Sequence, residues 1–444
     1  MYDLIILGAG PGGYVAAERA AAGGLKTLLI EKDRLGGVCL NAGCIPTKTL
    51  LSAAKTYAHA LEAESIGVTV KEAVFHLDKA MAWKARVIET LQKGIAAMLK
   101  RGGVEVVQGE GRLVKPGTVR VDRTDYQAKS VIIATGSSSV VPPIPGVKHP
   151  KVVTSTELLN IAEMPKKLVI VGGGIIGMEF ASFFSMLSAE VTVVEMMDEI
   201  IPALDREFAL ALRKALPKVS FELGAKVQEF SDAGVGYSRG GQKNLIPADL
   251  ALLCIGRRPN TGGMGFEEAG LEITKTGVKT DECMRTNLPG VYAVGDVTGR
   301  SLLAHSASRM GEIAVNTILG KKDRWRGNAI PWVVFSTPEV AGCGMTEAEA
   351  LAKGYEVVTA KVPMRLSGRY LAEHPGENGV CKVVAEKSGG VILGVNMLGT
   401  GCSEIIAGAA LMIESELRVQ DVKEIVFPHP TVSEVMREAL FEIK

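Results

Sequence analysis

The sequence predicts an α/β fold class built from two repeated units and a C-terminal α+β region. An apolar strand runs into a glycine-rich turn twice, in "LIILGAGPGG" and in "VIVGGGIIG". In each copy a second apolar strand ends in glutamate 23 positions after the first glycine, at Glu31 and at Glu195. The chain is 47% hydrophobic with 51 glycines and only 5% aromatic residues, which suits helices lying close on parallel sheets. We therefore expect two Rossmann-like dinucleotide-binding domains followed by an α+β domain.

The domain boundaries are predicted from length and from breaks in the pattern. A chain of 444 residues is too long for one hydrophobic core and predicts two to four domains. The first unit closes at the proline-rich exit of "SVIIATGSSSVVPPIPG", and the second closes at "ADLALLCIGRRPNT". Strand-like pieces in "YEVVTAKVPM", "GVCKVVAEK" and "GVILGVNMLG" precede helical ones near the C-terminus. The predicted domains are 1–148, 149–262, 263–331 and 332–444.

Charge and apolar patterning disfavour several classes of function. The formal net charge of +1 provides no basic field for nucleic acid. No apolar run reaches the roughly 18 residues that a membrane span needs, and "MYDLIILGAG" lacks the basic front of an export signal. We expect a cytoplasmic, reducing location, where seven scattered cysteines do not form a structural disulfide framework. Any disulfide in this chain would then be a catalytic one.

The first glycine motif has the spacing of a dinucleotide site. The G-x-G-x-x-G positions are filled by Gly8, Gly10 and Gly13. The first glycine permits a tight turn, the second lets the backbone approach pyrophosphate, and the third allows close helix packing. The N-terminus of the following helix would hold the diphosphate. Glu31 would accept hydrogen bonds from an adenosine ribose.

The second motif repeats this arrangement and indicates the choice of cofactor. Gly172, Gly174 and Gly177 fill the glycine positions, and Glu195 ends the next strand. A carboxylate pairs with a free 2′-hydroxyl and repels a 2′-phosphate, and no arginine follows before Arg206. NAD is therefore favoured over NADP. The alternative, two glycine turns that bind no dinucleotide, is disfavoured because both copies share the same offset.

The segment "GGVCLNAGCIPTKTLL" places Cys39 and Cys44 five positions apart. Five residues of ideal helix rise ~7.5 Å, more than the roughly 4.4–6.8 Å usual between bridged Cα atoms. A disulfide therefore requires the backbone to leave the helix between them, which Asn41 and Gly43 permit. Zinc is disfavoured because the other cysteines are isolated, and no metal site is predicted. The spacing alone leaves open a small disulfide loop and two unrelated thiols.

That segment resembles the redox-disulfide signature of the pyridine nucleotide–disulfide oxidoreductases. The motifs "IIATGS", "GRRPN", "VYAVGDVTG", "LLAHSAS" and "FPHPTVSE" follow in the order of that family along the whole chain. Within the family, the chain is most similar to members that oxidise protein-bound dihydrolipoamide to lipoamide with NAD⁺. The resemblance implies an FAD-binding domain (1–148), an NAD-binding domain (149–262), a central domain completing the FAD site (263–331) and a dimerisation domain (332–444).

By this resemblance the first glycine unit binds FAD and the second binds NAD. Asp296, in "VGDVTG", would hold the ribityl chain of the flavin. Ala304 and His305 would lie at a helix N-terminus that faces the flavin pyrimidine, where a positive helix end stabilises negative charge. For His305, a direct chemical role and an ordinary satisfied histidine stay equally open. Gly136 of "IIATGS" and Gly256 of "CIGRRPN" would complete the cofactor contacts.

A lysine and a glutamate match the ion pair that the family places beside the reactive nitrogen of the flavin. They are Lys48 and Glu179, and Ile175 would gate the nicotinamide face. Without the resemblance, the two charged residues would be interpreted as ordinary surface charges.

The resemblance further implies that Cys39 and Cys44 form a redox disulfide, with Cys39 facing the substrate and Cys44 the flavin. His429 and Glu434, in "FPHPTVSE", would form the acid–base dyad, in which the carboxylate orients the imidazole and raises its basicity. In the family this dyad reaches into the active site of the partner subunit, so a homodimer is implied. The further partners implied are lipoyl domains of 2-oxo acid dehydrogenase complexes or the glycine-cleavage protein.

The sequence departs from the family pattern at one position and leaves alternatives. Many members have a second histidine two places before the catalytic one, where this chain has Phe427. Because this sequence starts directly with the first predicted strand, we expect neither an appended lipoyl domain nor a transit peptide. A related NAD(P)H-dependent reductase of another small disulfide is the alternative enzyme. A flavin-bearing scaffold is the alternative outside catalysis, disfavoured because both cysteines and the dyad are intact.

Overall fold

The computed structural model describes residues 1–444 and contains strands, α-helices and three short 3₁₀ segments. The strands are β1 (Tyr2–Leu7), β2 (Thr27–Glu31), β3 (Glu105–Gln108), β4 (Gly111–Lys115), β5 (Thr118–Val121), β6 (Thr124–Ile133), β7 (Ser137–Ser139), β8 (Val152–Thr154), β9 (Lys167–Val171), β10 (Glu190–Glu195), β11 (Val219–Leu223), β12 (Lys226–Ser231), β13 (Gly234–Arg239), β14 (Gln242–Ile246), β15 (Leu250–Leu253), β16 (Arg257–Pro259), β17 (Ile273–Thr274), β18 (Gly277–Val278), β19 (Val291–Ala293), β20 (Trp332–Val334), β21 (Val340–Gly344), β22 (Val357–Pro363), β23 (Val380–Glu386) and β24 (Ile392–Leu398). The helices are α1 (Pro11–Ala22), α2 (Gly37–Ala42), α3 (Cys44–Glu62), α4 (Leu77–Arg101), α5 (Ser155–Leu158), α6 (Ile175–Met186), α7 (Arg206–Ala215), α8 (Ala304–Ile318), α9 (Glu347–Ala352), α10 (Gly368–Glu373), α11 (Cys402–Glu414), α12 (Val419–Lys423) and α13 (Glu434–Phe441). The 3₁₀ segments are Ala63–Ile66, Gly295–Thr298 and Met364–Leu366.

The first sheet contains seven strands, in the order β3-β2-β1-β6-β5-β4, with β19 also pairing with β6. Strand β1 lies between β2 and β6, and both pairings are parallel. Its residues are almost fully buried from Leu4 onward, as a strand covered on both faces requires. Because β19 comes from the predicted segment 263–331, this segment adds a strand to the first sheet, while its β17 and β18 form a separate antiparallel pair.

The second sheet is parallel, in the order β11-β10-β9-β15-β8. Strand β9 occupies the position that β1 has in the first sheet, next to a strand that ends in glutamate. In both sheets the glycine turn follows the carboxyl end of this inner strand, where ligands bind in open α/β sheets. The predicted α/β fold class is confirmed, whereas the domain boundaries remain predictions.

The C-terminal region forms an antiparallel sheet, in the order β20-β21-β24-β23-β22. Helices α11 and α13 pack on this sheet around a core that buries Cys343, Cys381 and Cys402. The strands predicted in the three apolar pieces are present as β22, β23 and β24. None of the helices has the length and apolar character of a membrane-spanning segment.

A buried lysine joins the C-terminal sheet to the start of α7, the helix that follows β10 of the second sheet. The side chain of Lys382, on β23, is only 8% exposed. Its Nζ lies 3.1 Å from Asp205, 3.0 Å from Glu207 and 2.8 Å from Glu347. Burial by itself lowers the pKa of Lys382, but the hydrogen bonds to the three carboxylates outweigh it, so the pKa lies above its ordinary value.

Candidate active site

A cavity of about 2010 Å³ extends between the two glycine turns and brings most predicted site residues together. Its lining includes Gly8, Gly10, Glu31, Cys39, Cys44, Lys48, Gly136, Gly172, Gly174, Ile175, Glu179, Glu195, Gly256, Asp296, Ala304 and His305. The predicted residues outside this lining are Gly13, Gly177, His429 and Glu434.

The first glycine turn is built so that its middle glycine has open space above it. A Cβ on Gly13 would lie 1.8 Å from the carbonyl oxygen of Gly8, so α1 can begin against the turn only with glycine there. By contrast, the nearest atom to a Cβ on Gly10 would be 3.9 Å away. This open space, at the N-terminus of α1, has the chemistry of a diphosphate site.

The second turn has the same construction. A Cβ on Gly177 would lie 2.1 Å from the carbonyl oxygen of Gly172, and a Cβ on Gly174 would meet nothing within 4 Å. The thiol of Cys254 is also packed here and donates to the carbonyl oxygen of Gly172 at 3.3 Å. Burial raises the pKa of Cys254, which keeps it a neutral donor.

The two acidic residues hold their glycine turns through backbone amides. Glu31 accepts hydrogen bonds from Ala9 N at 2.7 Å and from Asp33 N at 2.8 Å. Glu195 accepts them from Gly173 N at 2.6 Å and from Met197 N at 2.8 Å. Each carboxylate therefore joins the turn after the inner strand to the turn after its own strand. Both also line the cavity, where the remaining lone pairs can accept from ribose hydroxyls.

The cysteine segment leaves helical geometry between its two thiols, as a bridge would require. Helix α2 ends at Ala42, Gly43 has φ −149° and ψ −114°, and Cys44 begins α3. A Cβ on Gly43 would lie 3.3 Å from the Cα of Cys39, so glycine allows the two ends to approach. Both cysteines are thiols in this structure.

The two thiols are chemically unequal. A hydrogen bond from the Cys39 thiol, followed by the charge of Lys48, lowers the pKa of Cys44 to about 7. The same hydrogen bond, together with burial, raises the pKa of Cys39 well above its usual range. Near neutral pH this arrangement favours a Cys39 thiol that donates to a Cys44 thiolate.

Lys48 and Glu179 form a close ion pair in the cleft. Lys48 Nζ lies 2.9 Å from both carboxylate oxygens of Glu179, whose side chain is only 5% exposed. An interpretation of both residues as surface charges would be wrong for Glu179, because this residue lies on a buried face of α6. Phe335, which sequence reasoning missed, donates its backbone N–H to Glu179 at 3.1 Å. Its ring also faces the ammonium group, with the ring centroid 4.5 Å from Lys48 Nζ.

Asp296 lines the same cavity and belongs to a small polar network. Ser137 Oγ donates to its carboxylate at 2.5 Å, and Arg257 Nε donates to Ser137 Oγ at 2.8 Å. Arg257 and Ser137 were missed from the sequence, although they belong to the quoted "GRRPN" and "IIATGS" motifs. Their bonds fix the carboxylate of Asp296 so that its outer oxygen can accept from a polyol.

Helix α8 begins at Ala304 and points its N-terminus into the cleft. The ring Nε2 of His305 lies 2.8 Å from the carbonyl oxygen of Pro331. Burial lowers the pKa of His305, so the neutral ring donates to this carbonyl. This geometry is that of a satisfied histidine beside the cofactor cleft.

The histidine–glutamate dyad is formed but lies apart from the cleft of its own chain. His429 Nδ1 is 2.9 Å from Glu434 Oε1, and the backbone N–H of Thr431 donates to Glu434 Oε2 at 2.8 Å. The Thr431 amide and then the His429 ring hold the pKa of Glu434 below its usual range. The His429 side chain is 77% exposed, which leaves Nε2 free for another molecule.

The residues present fit two dinucleotides. Each glycine turn combines open space, a helix N-terminus and a cavity-facing carboxylate, which suit the diphosphate and ribose of a dinucleotide. The cavity is also larger than the roughly 300–1,000 Å³ that holds one small ligand.

Comparison with known families matches almost the whole chain. Residues 2–311 match the family model "Pyridine nucleotide-disulphide oxidoreductase". Residues 330–440 match the dimerisation domain of the same family.

Individual relatives agree with the family match. The chain is 42% identical to "Dihydrolipoyl dehydrogenase" of Thermus scotoductus, covering 99% of this chain and 96% of the relative. Among solved structures, LpdA from Mycobacterium tuberculosis has a TM-score of 0.92 at 27% identity, covering 100% of this chain and 99% of that chain. The HOCl-induced flavoprotein disulfide reductase RclA from Escherichia coli has a TM-score of 0.89 at 27% identity, covering 100% of both chains.

Proposed function

The chain belongs to the pyridine nucleotide-disulphide oxidoreductase family, and from this premise we propose that it oxidises protein-bound dihydrolipoamide to lipoamide with NAD⁺ as acceptor. It is a flavoprotein oxidoreductase that uses FAD and NAD. The observation that carries the substrate proposal is the unequal thiol pair Cys39 and Cys44, placed with Lys48 in the cleft between both glycine turns.

The proposed exchange begins with the bridged form of the pair. A substrate thiolate attacks the sulfur of Cys39, the Cys39–Cys44 bond breaks, and Cys44 leaves as a thiolate. The charge of Lys48, which lowers the pKa of Cys44 and does not depend on a proton of Cys39, stabilises the departing Cys44 thiolate. The second substrate thiol then attacks the substrate sulfur of the mixed disulfide, which forms lipoamide and releases Cys39 as a thiol.

The proton in this exchange is assigned to His429. Glu434 holds Nδ1 of the ring, which leaves Nε2 to take the proton of the attacking thiol. The family's dimerisation domain makes the protein a homodimer. Because the dyad lies apart from its own cleft, we place it at the cleft of the other subunit, so that each active site is shared across the interface.

The remaining side chains bind and orient. When bound, FAD would supply the two-electron redox chemistry between the thiol pair and NAD⁺. Asp296, Glu31 and the first glycine turn would hold this group, and Lys48 would supply a positive charge beside it. Glu195 and the second turn would hold the nicotinamide dinucleotide, with Ile175 at its entrance.

The partners follow from the same proposal. Lipoyl domains of 2-oxo acid dehydrogenase complexes, or the glycine-cleavage protein, would present the dithiol. A cytoplasmic location belongs to this proposal, supported by Cys343, Cys381 and Cys402, which stand as separate buried thiols in one core.

The test is turnover of dihydrolipoamide with NAD⁺, compared with electron transfer from NADH to an artificial dye. We expect His429→Gln to lower dihydrolipoamide turnover by about 10²–10⁴-fold, the range for loss of an acid–base group, and to keep dye reduction. His59→Gln, the same change at an exposed histidine of α3, is the matched control. Full lipoamide turnover in the His429 variant would refute the acid–base assignment.

A second candidate is a reductase that acts on another low-molecular-weight disulfide, because the disulfide reductase RclA shares the fold over its full length. The two candidates differ in their preferred substrate. No turnover of dihydrolipoamide, together with rapid NADH-dependent reduction of a small disulfide, would favour the reductase.

A further inference from the structure

A segment of the C-terminal region lies across the two helices that carry the redox site. Residues 335–339 connect β20 to β21 and contact α3, which begins at Cys44, and α6, which carries Glu179. Three hydrogen bonds attach the segment: Phe335 N to Glu179 Oε1 at 3.1 Å, Thr337 N to Ser182 Oγ at 2.9 Å, and Lys55 Nζ to Glu339 Oε1 at 3.2 Å.

Phe335 makes contact with both members of the ion pair beside Cys44. Its backbone N–H binds the same carboxylate oxygen that accepts from Lys48, and its ring covers the ammonium group at 4.5 Å. The Lys48 side chain remains 32% exposed in the cleft with both contacts in place, so Glu179 and Phe335 are the two groups that hold its ammonium group. An aromatic face attracts a cation through its quadrupole, which an aliphatic side chain of similar size does not provide.

We propose that Phe335 is a positioning residue that holds Lys48 against Glu179 and so fixes the positive charge next to Cys44. The proposal deepens the proposed function, since it assumes that Lys48 acts on the redox thiols. It also assigns the C-terminal region a direct part in the chemistry of its own subunit, in addition to dimerisation. The geometry supports this because the backbone and the ring of one residue contact both charges.

The physical consequence concerns the thiolate. The charge of Lys48 is one cause of the low pKa of Cys44, after the hydrogen bond from Cys39. If the ammonium group moves away from the thiol, this attraction weakens and the thiolate is protonated at a higher pH.

The first experiment follows the pH titration of the long-wavelength absorbance that a thiolate gives beside oxidised flavin, in the anaerobic NADH-reduced holoenzyme. We expect Phe335→Leu to move the midpoint upward by about half a pH unit or more, since a cation–π contact is lost. Phe335→Tyr retains the ring and should keep the wild-type midpoint.

The matched control is Phe183→Leu, the same change at a buried ring of α6 that packs against Phe75 and against Phe184 of the same helix. It should lower the thermal unfolding midpoint without moving the titration. An unchanged titration in F335L, or an equal shift in F183L, would overturn the proposal. If F335L does not retain flavin, F335M carries the same expectation and the same refutation.

A double-mutant cycle separates positioning from a general structural effect. If Phe335 acts through the lysine, F335L should cause no further shift in a Lys48→Met background. Additive shifts would mean that Phe335 acts by another route and would contradict the inference. The readout needs only NADH and bound flavin, so failure of the lipoamide assay would refute the substrate proposal and leave this inference standing.

Discussion

At the scale of single residues, the chemistry depends on an inequality between two identical side chains. Cys39 and Cys44 differ because Cys39 donates the hydrogen bond that Cys44 accepts, which raises the pKa of the first thiol and lowers that of the second, while the charge of Lys48 acts on both. The sequence could identify the pair and the lysine because they belong to an ordered motif. It could not identify Phe335, whose role depends on a fold that returns a distant strand to the cleft.

The thiol inequality has a pH dependence that can be measured. Because the pKa of Cys44 is about 7, its thiolate forms above that pH and is protonated below it. We expect Cys39→Ala to raise this pKa, since the Cys39 thiol is the largest cause of the low value. The measurement is the thiolate–flavin absorbance against pH. The control is Cys283→Ala, at a cysteine far from the pair in sequence. An equal titration midpoint of this absorbance in C39A and in the wild type would refute the assignment.

The cofactor preference is also a property of one residue. Glu195→Gln loses a hydrogen-bond acceptor at the second glycine turn, because an amide nitrogen cannot accept from Gly173 or Met197. We expect the KM for NAD⁺ to rise about tenfold, the effect of about 1.4 kcal/mol. NADP⁺ should gain little, since no arginine replaces the carboxylate. Glu190→Gln, exposed at the start of β10, is the control, and efficient use of NADP⁺ by E195Q would contradict this expectation.

At the scale of secondary structure elements, each glycine turn is set by a contact between its first and third glycines. The sequence was sufficient to predict β1, β9 and their turns, because strand, glycine spacing and acidic end all agreed. It did not reveal that β19 would join the first sheet, because three residues of apolar sequence do not specify a distant pairing.

The turns predict separable effects on the two cofactors. Gly13→Ala places a Cβ 1.8 Å from the Gly8 carbonyl, and Gly177→Ala places one 2.1 Å from the Gly172 carbonyl. We expect G13A to lose FAD on gel filtration, and G177A to retain FAD but bind NADH at least tenfold more weakly.

The control for these variants is a glycine without close neighbours. Gly94 lies within α4, where a Cβ would meet nothing within 4 Å. Gly94→Ala should keep both cofactors and stabilise the protein by about 0.5–1 kcal/mol, because alanine favours the helix. FAD retention in G13A equal to that in G94A would show that the turn tolerates the added carbon.

At the scale of the whole molecule, the regions are held together by buried charge as well as by apolar packing. The Lys382 cluster connects the start of α7 to the C-terminal sheet, with the Lys382 side chain buried, that of Asp205 largely buried, and Glu207 and Glu347 at its solvent-exposed edge. The sequence does not predict it, because its four members are distributed from residue 205 to residue 382 and form no motif.

Removing the lysine should therefore be costly. We expect Lys382→Met to lower the free energy of unfolding by about 3 kcal/mol at neutral pH, because three carboxylates lose their buried partner. The native pKa of Lys382 is raised, so its contribution is complete below about 10.4, the ordinary lysine pKa, and declines as the pH rises above it. Urea unfolding of the holoenzyme at fixed protein concentration, at pH 7 and above pH 10, measures both effects.

The control is a lysine in an exposed ion pair. Lys93 pairs with Glu89 on α4 with a side chain that is 75% exposed, and Lys93→Met should change stability by less than about 0.5 kcal/mol. Equal losses in the two variants would show that the buried cluster contributes no more than a surface pair.

The backbone bonds of Glu31 and Glu195 have a consequence for the thermodynamics of cofactor binding. A free glutamate side chain loses roughly 1.5–2 kcal/mol of rotamer entropy when a ligand fixes it. Here both oxygens of each carboxylate are already fixed by main-chain amides before any ribose arrives. The ribose therefore meets a preorganised acceptor, and most of the entropic cost of ordering that side chain falls on folding rather than on binding.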